Sequence, residues 1–199
     1  MSTPLWPALG WMLLGYVGAG WLGAILVCRL AGVADPRQRG SKNPGVSNVL
    51  RLYGPRLAAA TLTLDAAKAA LVLGLVKAQG QPVWVQGAVG LAVLLGHSYP
   101  LWHRFRGGKA VACAFGTLLV LVPWVALVCA ACWALLAWRL HTAAAASLLS
   151  ALAAPLLTLW LAPDYTFVVA AFTLVVFVRH AFNIRRLRSG EEPDLRRRR

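Results

Sequence analysis

Three polar segments interrupt an otherwise apolar chain, and each combines glycine or asparagine with cationic side chains. The first, residues 40–51, reads G-S-K-N-P-G-V-S-N-V-L-R. Its glycines let the backbone turn sharply and present N–H groups, while the serine and asparagine side chains add neutral donors. Arg51 follows Asn48 by three residues, so both face the same way at a helix start. This pattern suits a phosphate; an ordinary turn with a helix capped at Ser47 is the alternative.

The second polar segment places two glycines and a lysine at the start of an apolar stretch. Residues 96–100 read G-H-S-Y-P, and residues 105–110 read F-R-G-G-K-A. Free backbone N–H groups beside the cation of Lys109 predict an anion site at a helix N-terminus. This is not the ATP-binding P-loop. The first glycine of that pattern would fall at His103, and Ala110 replaces the hydroxyl residue that binds magnesium.

The third polar segment, residues 179–187, reads R-H-A-F-N-I-R-R-L and is followed by Gly190 and Glu191. His180, Asn183 and Arg186 follow one another at intervals of three residues. On a helix that extends from the last membrane segment they form one polar stripe. A juxtamembrane helix that only holds positive charge inside is the alternative.

The remaining ionisable residues exclude several kinds of chemistry. Asp65 and Lys68 lie three apart in an apolar segment, where we expect a structural ion pair because membrane charges face a polar cavity or each other. The sequence has six acidic residues, and no pair of carboxylates is placed for acid–base work. No H-x-x-x-x-D motif occurs, and the C-x-x-C at 129–132 lacks the further ligands of a metal site. Cationic and hydrogen-bonding stabilisation of an already reactive substrate therefore remains.

The elements that position these segments are membrane helices. The 199 residues are 59% hydrophobic and 13% charged, with a mean hydropathy of +0.66, which is too apolar for a soluble domain of this length. The net charge of +14 does not indicate a nucleic-acid partner, because basic and aromatic residues are not interleaved on a polar surface. The apolar blocks predict an all-α integral membrane protein with seven short helices, at roughly 5–28, 57–76, 83–98, 110–122, 124–138, 142–162 and 165–178.

The positions of lysine and arginine predict the orientation. Basic residues lie in 29–56 and 99–109, at Arg139, and from Arg179 onward, and the positive-inside rule puts all four regions in the cytoplasm. A break at Pro123 divides the long block 110–138 into two short helices, which keeps the tail inside. We therefore expect a bacterial cytoplasmic membrane protein with the N-terminus outside and the C-terminus cytoplasmic. It has one polytopic domain, 1–192, and a basic cytoplasmic tail, 193–199, able to contact membrane lipid.

The three polar segments, in this order, resemble the motifs of the PlsY family. Residues 40–51 resemble G-S-x-N-x-G-x-x-N-x-x-R, and residues 96–111 resemble G-H-x-[FY]-P followed by F-[KR]-G-G-K-x-V. Residues 179–187, with Gly190 and Glu191, resemble R-H-x-x-N-I-x-R-L and G-x-E. Lys42 and Ala110 stand where the family usually has glycine. The resemblance spans residues 10–192 and identifies a member of this family, the acyl-phosphate-dependent glycerol-3-phosphate acyltransferases.

The resemblance implies transfer of an acyl group from acyl phosphate to the 1-hydroxyl of glycerol 3-phosphate, which gives lysophosphatidic acid and phosphate. It implies no cofactor and no metal, and an enzyme that works as a monomer with its active site facing the cytoplasm. The residues fit such a reaction, since both substrates carry phosphate. An acyl phosphate is also a mixed anhydride with a good leaving group, so the substrate phosphate can itself accept the proton.

The resemblance also implies roles for individual residues. The catalytic set is Ser41, Arg51, Lys109, His180 and Asn183. The set that binds substrate phosphate or shapes its loops is Ser41, Asn43, Gly45, Asn48, Arg51, Gly107, Gly108, Lys109 and Arg186. His97 is expected to orient a loop. We expect Ser41 to act as a hydrogen-bond donor; an acyl nucleophile, which needs a nearby base, is the alternative.

One departure from the family pattern leaves other functions open. The family has a K/R-x-x-S-x-A-S segment between its fifth and sixth helices, and Ala143 aligns with its pocket serine, for which Thr142 is a candidate substitute. A divergent paralogue with an altered acceptor or donor is therefore one alternative. A small multi-pass transporter is another, but it predicts ionisable residues deep in several helices, and only Asp65 and Lys68 qualify.

Overall fold

The apolar blocks fold into helices, since a helix pairs its own backbone N–H and C=O groups where no water is present. The computed structural model describes residues 5–195, and this part of the chain contains ten α-helices and no β-strand. The helices are α1 (Leu5–Ala19), α2 (Gly23–Leu30), α3 (Val46–Tyr53), α4 (Pro55–Ala78), α5 (Val83–Ser98), α6 (Val111–Leu121), α7 (Pro123–Leu140), α8 (Ala143–Leu161), α9 (Thr166–Arg179) and α10 (Ala181–Arg188). Single 3-10 turns lie at Leu101–His103 and Pro163–Tyr165.

Proline and glycine determine several of the helix ends. Helix α6 ends at Leu121 and α7 begins at Pro123, so the predicted break is confirmed. Gly54, with φ of 88°, separates α3 from α4 in a conformation that favours glycine. The first predicted membrane helix also breaks, at residues 20–22, and the sequence analysis did not predict this bend.

The structure confirms an all-helical chain with several candidate membrane spans. Six of the seven predicted segments correspond to one helix each, and the first, 5–28, forms the two helices α1 and α2. In the described residues, four stretches are long and apolar enough to cross a membrane, namely Leu5–Leu30, Pro55–Ala78, Pro123–Leu140 and Ala143–Leu161. A fifth arises if the segment Pro163–Arg179 and α10, which meet at 60°, form one bent span. Helices α5 and α6, of 16 and 11 residues, are shorter than the about 20 residues of a full straight span.

Close helix crossings hold the polar segments at fixed positions. Helix α4 packs against α1, α2, α3 and α6, α5 packs against α1 and α9, and α8 lies against both α7 and α9. A methyl group on Gly96 would collide with the backbone of Tyr16, and one on Gly116 would collide with the backbone of Ala66. Such small residues allow the backbones of membrane helices to touch. Because Gly96 precedes His97, the α1–α5 crossing also fixes the position of that histidine.

The outward faces of the long helices are apolar. Large apolar side chains are exposed on helices throughout the chain, among them Leu13, Leu71, Leu135, Leu156 and Leu174. An apolar surface of this extent marks contact with lipid or with a partner rather than with water. The polar side chains are instead collected inside and at the ends of the helices.

Candidate active site

A cavity of about 360 Å³ joins the three polar segments. Its polar wall includes Ser41, Asn43, Arg51, Lys109, His180 and Asn183, which come from loops or helix ends. Its apolar wall, formed within α6, α7, α8 and α9, includes Phe115, Leu118, Trp133 and Phe172. A cavity with cations on one part of its wall and hydrocarbon on the other suits an amphiphile with an anionic head.

The first polar segment lacks the helix cap at Ser47 that was the alternative to a phosphate site. Helix α3 begins at Val46, with Gly45 at the cap position and no side-chain cap, so a helix capped at Ser47 is wrong. Gly45 takes this position in an extended conformation, and its N–H donates to the carbonyl of Asn43 at 2.9 Å. The turn places Asn43 and Gly45 on the cavity wall.

Asn48 holds the first loop from inside. Its side chain is 1% exposed; Oδ1 accepts the N–H of Ser41 at 2.9 Å, and Nδ2 donates to the carbonyls of Pro36 at 2.8 Å and Arg39 at 3.2 Å. Gly40 passes so close that a methyl group there would collide with Oδ1 of Asn48. The amide is thus fully engaged by backbone groups, and it presents Ser41 to the cavity.

The glycines of the second segment lie outside the cavity wall. The N–H of Gly107 donates to the carbonyl of Ser98 at 3.2 Å, and that of Gly108 to the carbonyl of His97 at 3.1 Å. A methyl group on Gly107 would collide with the carbonyl of His97, and one on Gly108 with Nε2 of its ring. Both N–H groups are therefore already paired, and the glycines are needed because the loop packs directly on α5.

Arg179 clamps the same loop from the opposite side. Its Nε donates to the carbonyl of Gly108 at 3.0 Å and its Nη2 to the carbonyl of Gly107 at 3.2 Å. The guanidinium lies 4.7 Å from the ring centre of Tyr99, within cation–π range. The sequence analysis gave Arg179 no role of its own. Its place directly before His180 at the end of a membrane helix was the available signal.

A buried charge cluster of Asp65 and Lys68 contacts His97 of the second segment. Lys68 Nζ lies 2.8 Å from Asp65 Oδ1, which confirms the predicted ion pair, and the two side chains are 3% and 1% exposed. Nζ also donates to the carbonyl of Trp21 at 2.5 Å and contacts Nδ1 of His97 at 3.0 Å. An ammonium group has no lone pair, so Nδ1 accepts and the proton of the neutral ring lies on Nε2. Asp65 and His97 both line the cavity.

The third segment bends where a straight extension was expected. Helices α9 and α10 meet at 60° on His180, so the predicted continuous stripe is wrong. The bend leaves Nδ1 of His180 2.8 Å from the carbonyl of Val176, to which it donates, and Nε2 remains an acceptor. Asn183 is 5% exposed, and its Nδ2 donates to Oε1 of Glu192 at 2.7 Å. Arg186 does not line the cavity; its Nε lies 3.6 Å from Oε2 of Glu192.

Glu192 is the site residue that the sequence analysis missed. Its side chain is 5% exposed and lines the cavity, whereas Glu191, the residue quoted with the third motif, is exposed. The chain turns back at Gly190, with φ of 73°, and the N–H of Leu195 donates to the carbonyl of His141 at 2.7 Å. The G-x-E spacing from Gly190 was the available signal, because its final residue is Glu192.

The polar wall carries an excess of positive charge. Burial lowers the pKa of Lys109 to about 8; the charge of Glu192 opposes this shift, and Arg51 and Arg186 add to it. Burial also lowers the pKa of Arg51, again against the charge of Glu192. Clustered, partly desolvated cations of this kind bind a phosphate dianion strongly.

The structure brings together most of the predicted site residues. Those that line the cavity are Ser41, Asn43, Gly45, Asn48, Arg51, His97, Lys109, His180 and Asn183, whereas Gly107, Gly108 and Arg186 do not. Ala143 also lines the cavity, whereas Thr142, the candidate substitute for the family serine, does not. Among residues 5–195 no group of three potential metal-binding side chains is present.

Comparisons with known proteins agree with this geometry. The sequence model of the glycerol-3-phosphate acyltransferase family matches residues 9–190. The glycerol-3-phosphate acyltransferase of Chromohalobacter salexigens is 60% identical over 197 residues, covering 99% of this chain and 96% of that protein. The enzyme of the same name from Shewanella baltica is 38% identical over 195 residues, covering 98% and 96%.

Two solved structures have the same fold. Both are crystal structures of PlsY, an integral membrane glycerol 3-phosphate acyltransferase. The glycerol 3-phosphate form matches with a TM-score of 0.87 and 29% identity, covering 94% of this chain and 95% of that one. The lysophosphatidic acid form matches with a TM-score of 0.84 and 28% identity, with the same coverage. The protein described here therefore belongs to the glycerol-3-phosphate acyltransferase family.

Proposed function

We propose that this protein transfers an acyl group from acyl phosphate to the 1-hydroxyl of glycerol 3-phosphate, which gives lysophosphatidic acid and phosphate. The observation that carries the proposal is a cavity whose wall combines Arg51 and Lys109 with a long apolar surface. Its relatives are acyltransferases with glycerol 3-phosphate in their names, and one relative of known structure has glycerol 3-phosphate and lysophosphatidic acid forms.

The polar wall is proposed to hold the phosphate groups. Lys109 and Arg51 supply the charge, and the hydroxyl of Ser41, presented by the Asn48-centred loop, supplies a neutral donor. Arg186 acts on this wall through its charge, because it does not line the cavity. Asn43 and Gly45 complete the turn beside them. Gly107 and Gly108 are proposed to place Lys109, since their own N–H groups are already paired.

The apolar wall is proposed to hold the acyl chain. Phe115, Trp133 and Phe172 come from three different helices, and Nε1 of Trp133 donates to the hydroxyl of Ser147 at 2.9 Å, so its polar atom is satisfied. Each methylene group that moves from water into such a wall contributes about 0.8 kcal/mol. This binding energy positions the carbonyl carbon of the donor near the polar wall.

The chemical step needs positioning and charge stabilisation more than a protein base. The 1-hydroxyl oxygen attacks the acyl carbonyl carbon, the bond from that carbon to the phosphate oxygen breaks, and the hydroxyl proton passes to a phosphate oxygen. Lys109 and Arg51 stabilise the negative charge on the departing phosphate. His180 is held by the hydrogen bond from its Nδ1 to the carbonyl of Val176, and its Nε2 remains a neutral acceptor for a substrate. Asn183 holds Glu192 by a hydrogen bond. Both residues thereby keep the polar wall of the cavity in place.

We also propose a seven-crossing topology in the bacterial cytoplasmic membrane, with the N-terminus outside and the active site facing the cytoplasm. If each of the seven predicted segments crosses once, the exposed residues Trp6, Trp84, Trp124 and Trp160 all fall at the ends away from the basic loops. Tryptophan is enriched at both membrane boundaries, and the exposed Trp102 and Trp138 lie on the basic side. The support for the orientation is therefore the concentration of lysine and arginine in the loops of one side. A C-terminal green fluorescent protein fusion should fluoresce, and a C-terminal alkaline phosphatase fusion should be inactive; the reverse result would contradict the orientation.

The functional unit is proposed to be a monomer with one domain, residues 1–192, and a basic tail, 193–199. Support for a monomer is that one chain supplies the polar and the apolar wall of the cavity. The four terminal arginines of the tail, at 196–199, lie outside the described residues.

The donor is tested by offering palmitoyl phosphate and palmitoyl-CoA separately to purified protein with radiolabelled glycerol 3-phosphate. Labelled lysophosphatidic acid is expected from palmitoyl phosphate alone. Lys109→Ala is expected to abolish the product, and Lys77→Ala, a lysine outside the cavity wall that donates to the carbonyl of Val120, is the matched control. Product from palmitoyl-CoA alone, or full activity of Lys109→Ala, would overturn the proposal.

A further inference from the structure

Glu192 presents a buried oxygen whose hydrogen-bonding capacity is unused. Its Oε1 accepts from Nδ2 of Asn183 at 2.7 Å, whereas Oε2 has no hydrogen-bond partner within residues 5–195. Within the described part of the chain, the nearest cation to Oε2 is Nε of Arg186 at 3.6 Å, beyond hydrogen-bond length. A buried carboxylate oxygen without a donor is uncommon in a native protein and calls for a ligand or a structural reason.

The position of Glu192 favours a ligand. The residue lines the cavity together with Lys109 and Arg51, which are proposed to bind phosphate. A carboxylate repels phosphate, so it has no place there as a phosphate ligand; it is, however, a strong acceptor for a hydroxyl group. The acceptor substrate under the proposed function carries two hydroxyl groups on the carbon chain next to its phosphate.

The chemistry of the reaction decides between these two hydroxyl groups. The attacking 1-hydroxyl has to face the phosphate oxygen that takes its proton, so it is not free to donate to the protein. The 2-hydroxyl does not react, so its proton is not transferred and it can donate a hydrogen bond to the protein throughout the reaction. We propose that Glu192 accepts a hydrogen bond from the 2-hydroxyl of the glycerol phosphate and thereby selects the acceptor and orients its 1-hydroxyl. This inference rests on the proposed function.

The fixed surroundings of Glu192 make it suitable for this task. Asn183, itself 5% exposed on α10, fixes Oε1, and the hydrogen bond from Leu195 to the carbonyl of His141 ties down the segment that carries the glutamate. An acceptor held in this way can discriminate, because a substrate without the hydroxyl leaves the carboxylate unpaired. Glu192 is thus a specificity-determining residue of the acceptor site.

The test compares two acceptors, glycerol 3-phosphate and 3-hydroxypropyl phosphate, which lacks only the 2-hydroxyl, with palmitoyl phosphate as donor. The wild-type protein is expected to prefer glycerol 3-phosphate in kcat/KM by about 10- to 100-fold, as for a hydrogen bond to a charged group. Glu192→Gln places an amide where the carboxylate stood and should reduce this preference to less than about threefold. Glu191→Gln removes the same charge from the same segment and should retain the full preference.

Each outcome decides the question. Equal use of both acceptors by the wild-type protein, or a Glu192→Gln variant that loses activity on both acceptors by the same factor, would overturn the inference and leave a structural role. If Glu192→Gln does not fold, Glu192→Asp keeps the carboxylate but withdraws it by one methylene group, and its preference is expected to fall as well. A wild-type protein that acylates neither acceptor would instead show that the proposed function itself is wrong.

Discussion

Replacement of Lys68 by methionine should destabilise the protein more than replacement of any exposed lysine. Lys68 forms a buried ion pair with Asp65 at 2.8 Å, and it also donates to Trp21 and His97. Methionine has nearly the same length but no charge. The variant leaves the buried Asp65 carboxylate with the N–H of Gly23, at 3.0 Å, as its one remaining hydrogen-bond donor among residues 5–195. The cost is that of an uncompensated buried charge rather than that of a lost contact.

The magnitude follows from burial. Both side chains are at most 3% exposed, and removal of one partner of such a pair costs about 3–5 kcal/mol. For a chain of this size 1 kcal/mol corresponds to about 2–4 °C in Tm, so Lys68→Met should lower Tm by about 6–20 °C. The double replacement Asp65→Leu with Lys68→Met removes both charges and should recover a large part of the loss.

Thermal unfolding of the purified protein in detergent, followed by tryptophan fluorescence, measures the effect. Lys77→Met is the matched control, because Lys77 lies on the same helix, is exposed, and only donates to the carbonyls of Val120 and Leu121. Its Tm should change by less than about 3 °C, as is usual for surface positions. If Lys68→Met and Lys77→Met unfold at the same temperature, or if the double variant is no better than Lys68→Met, the reasoning about the buried pair is refuted.

Three further predictions concern the loops. Gly108→Ala should reduce acyl transfer more than tenfold, because its methyl group would collide with the fixed ring of His97, whereas Gly74→Ala, with open space around it, should retain activity in the same assay. The KM for glycerol 3-phosphate should rise about tenfold from pH 7 to pH 9, because Lys109, with a pKa of about 8, loses its charge in this range. Lys109→Arg should flatten this profile. A wild-type profile without the rise would contradict the role of Lys109 in phosphate binding. Lys42 has φ of 57°, a left-handed backbone conformation that favours glycine. Lys42→Gly should therefore raise the free energy of unfolding by about 1 kcal/mol, while Lys42→Ala should leave it unchanged. Equal Tm values for the two variants would exclude backbone strain at this position.

The sequence predicted the helices well where composition alone decides them. Long apolar blocks allow only a helix in a membrane, and Pro123 marks a break that its missing N–H requires. The break at residues 20–22 could not be predicted in the same way, because it contains no proline. The bend at His180 likewise falls within a continuous run of helix-compatible residues.

The site was predictable in its residue types but less so in their contacts. The spacing of cations and glycines identified Arg51, Lys109 and His180, since anion chemistry needs those groups. It could not show that the N–H groups of Gly107 and Gly108 are paired with α5, because that depends on a tertiary contact. Glu192 was missed although the G-x-E spacing from Gly190 ends on it, because the adjacent Glu191 was taken as the motif residue; the turn at Gly190 leaves Glu191 exposed and Glu192 on the cavity wall.

The most direct test of the proposed reaction is its stoichiometry. Purified protein is incubated with palmitoyl phosphate and glycerol 3-phosphate, and lysophosphatidic acid and inorganic phosphate are measured together over time, with Lys109→Ala as the inactive control. The account predicts that the two products form in a ratio of one to one and only when both substrates are present. Phosphate release that is independent of glycerol 3-phosphate, or lysophosphatidic acid without equivalent phosphate, would contradict it.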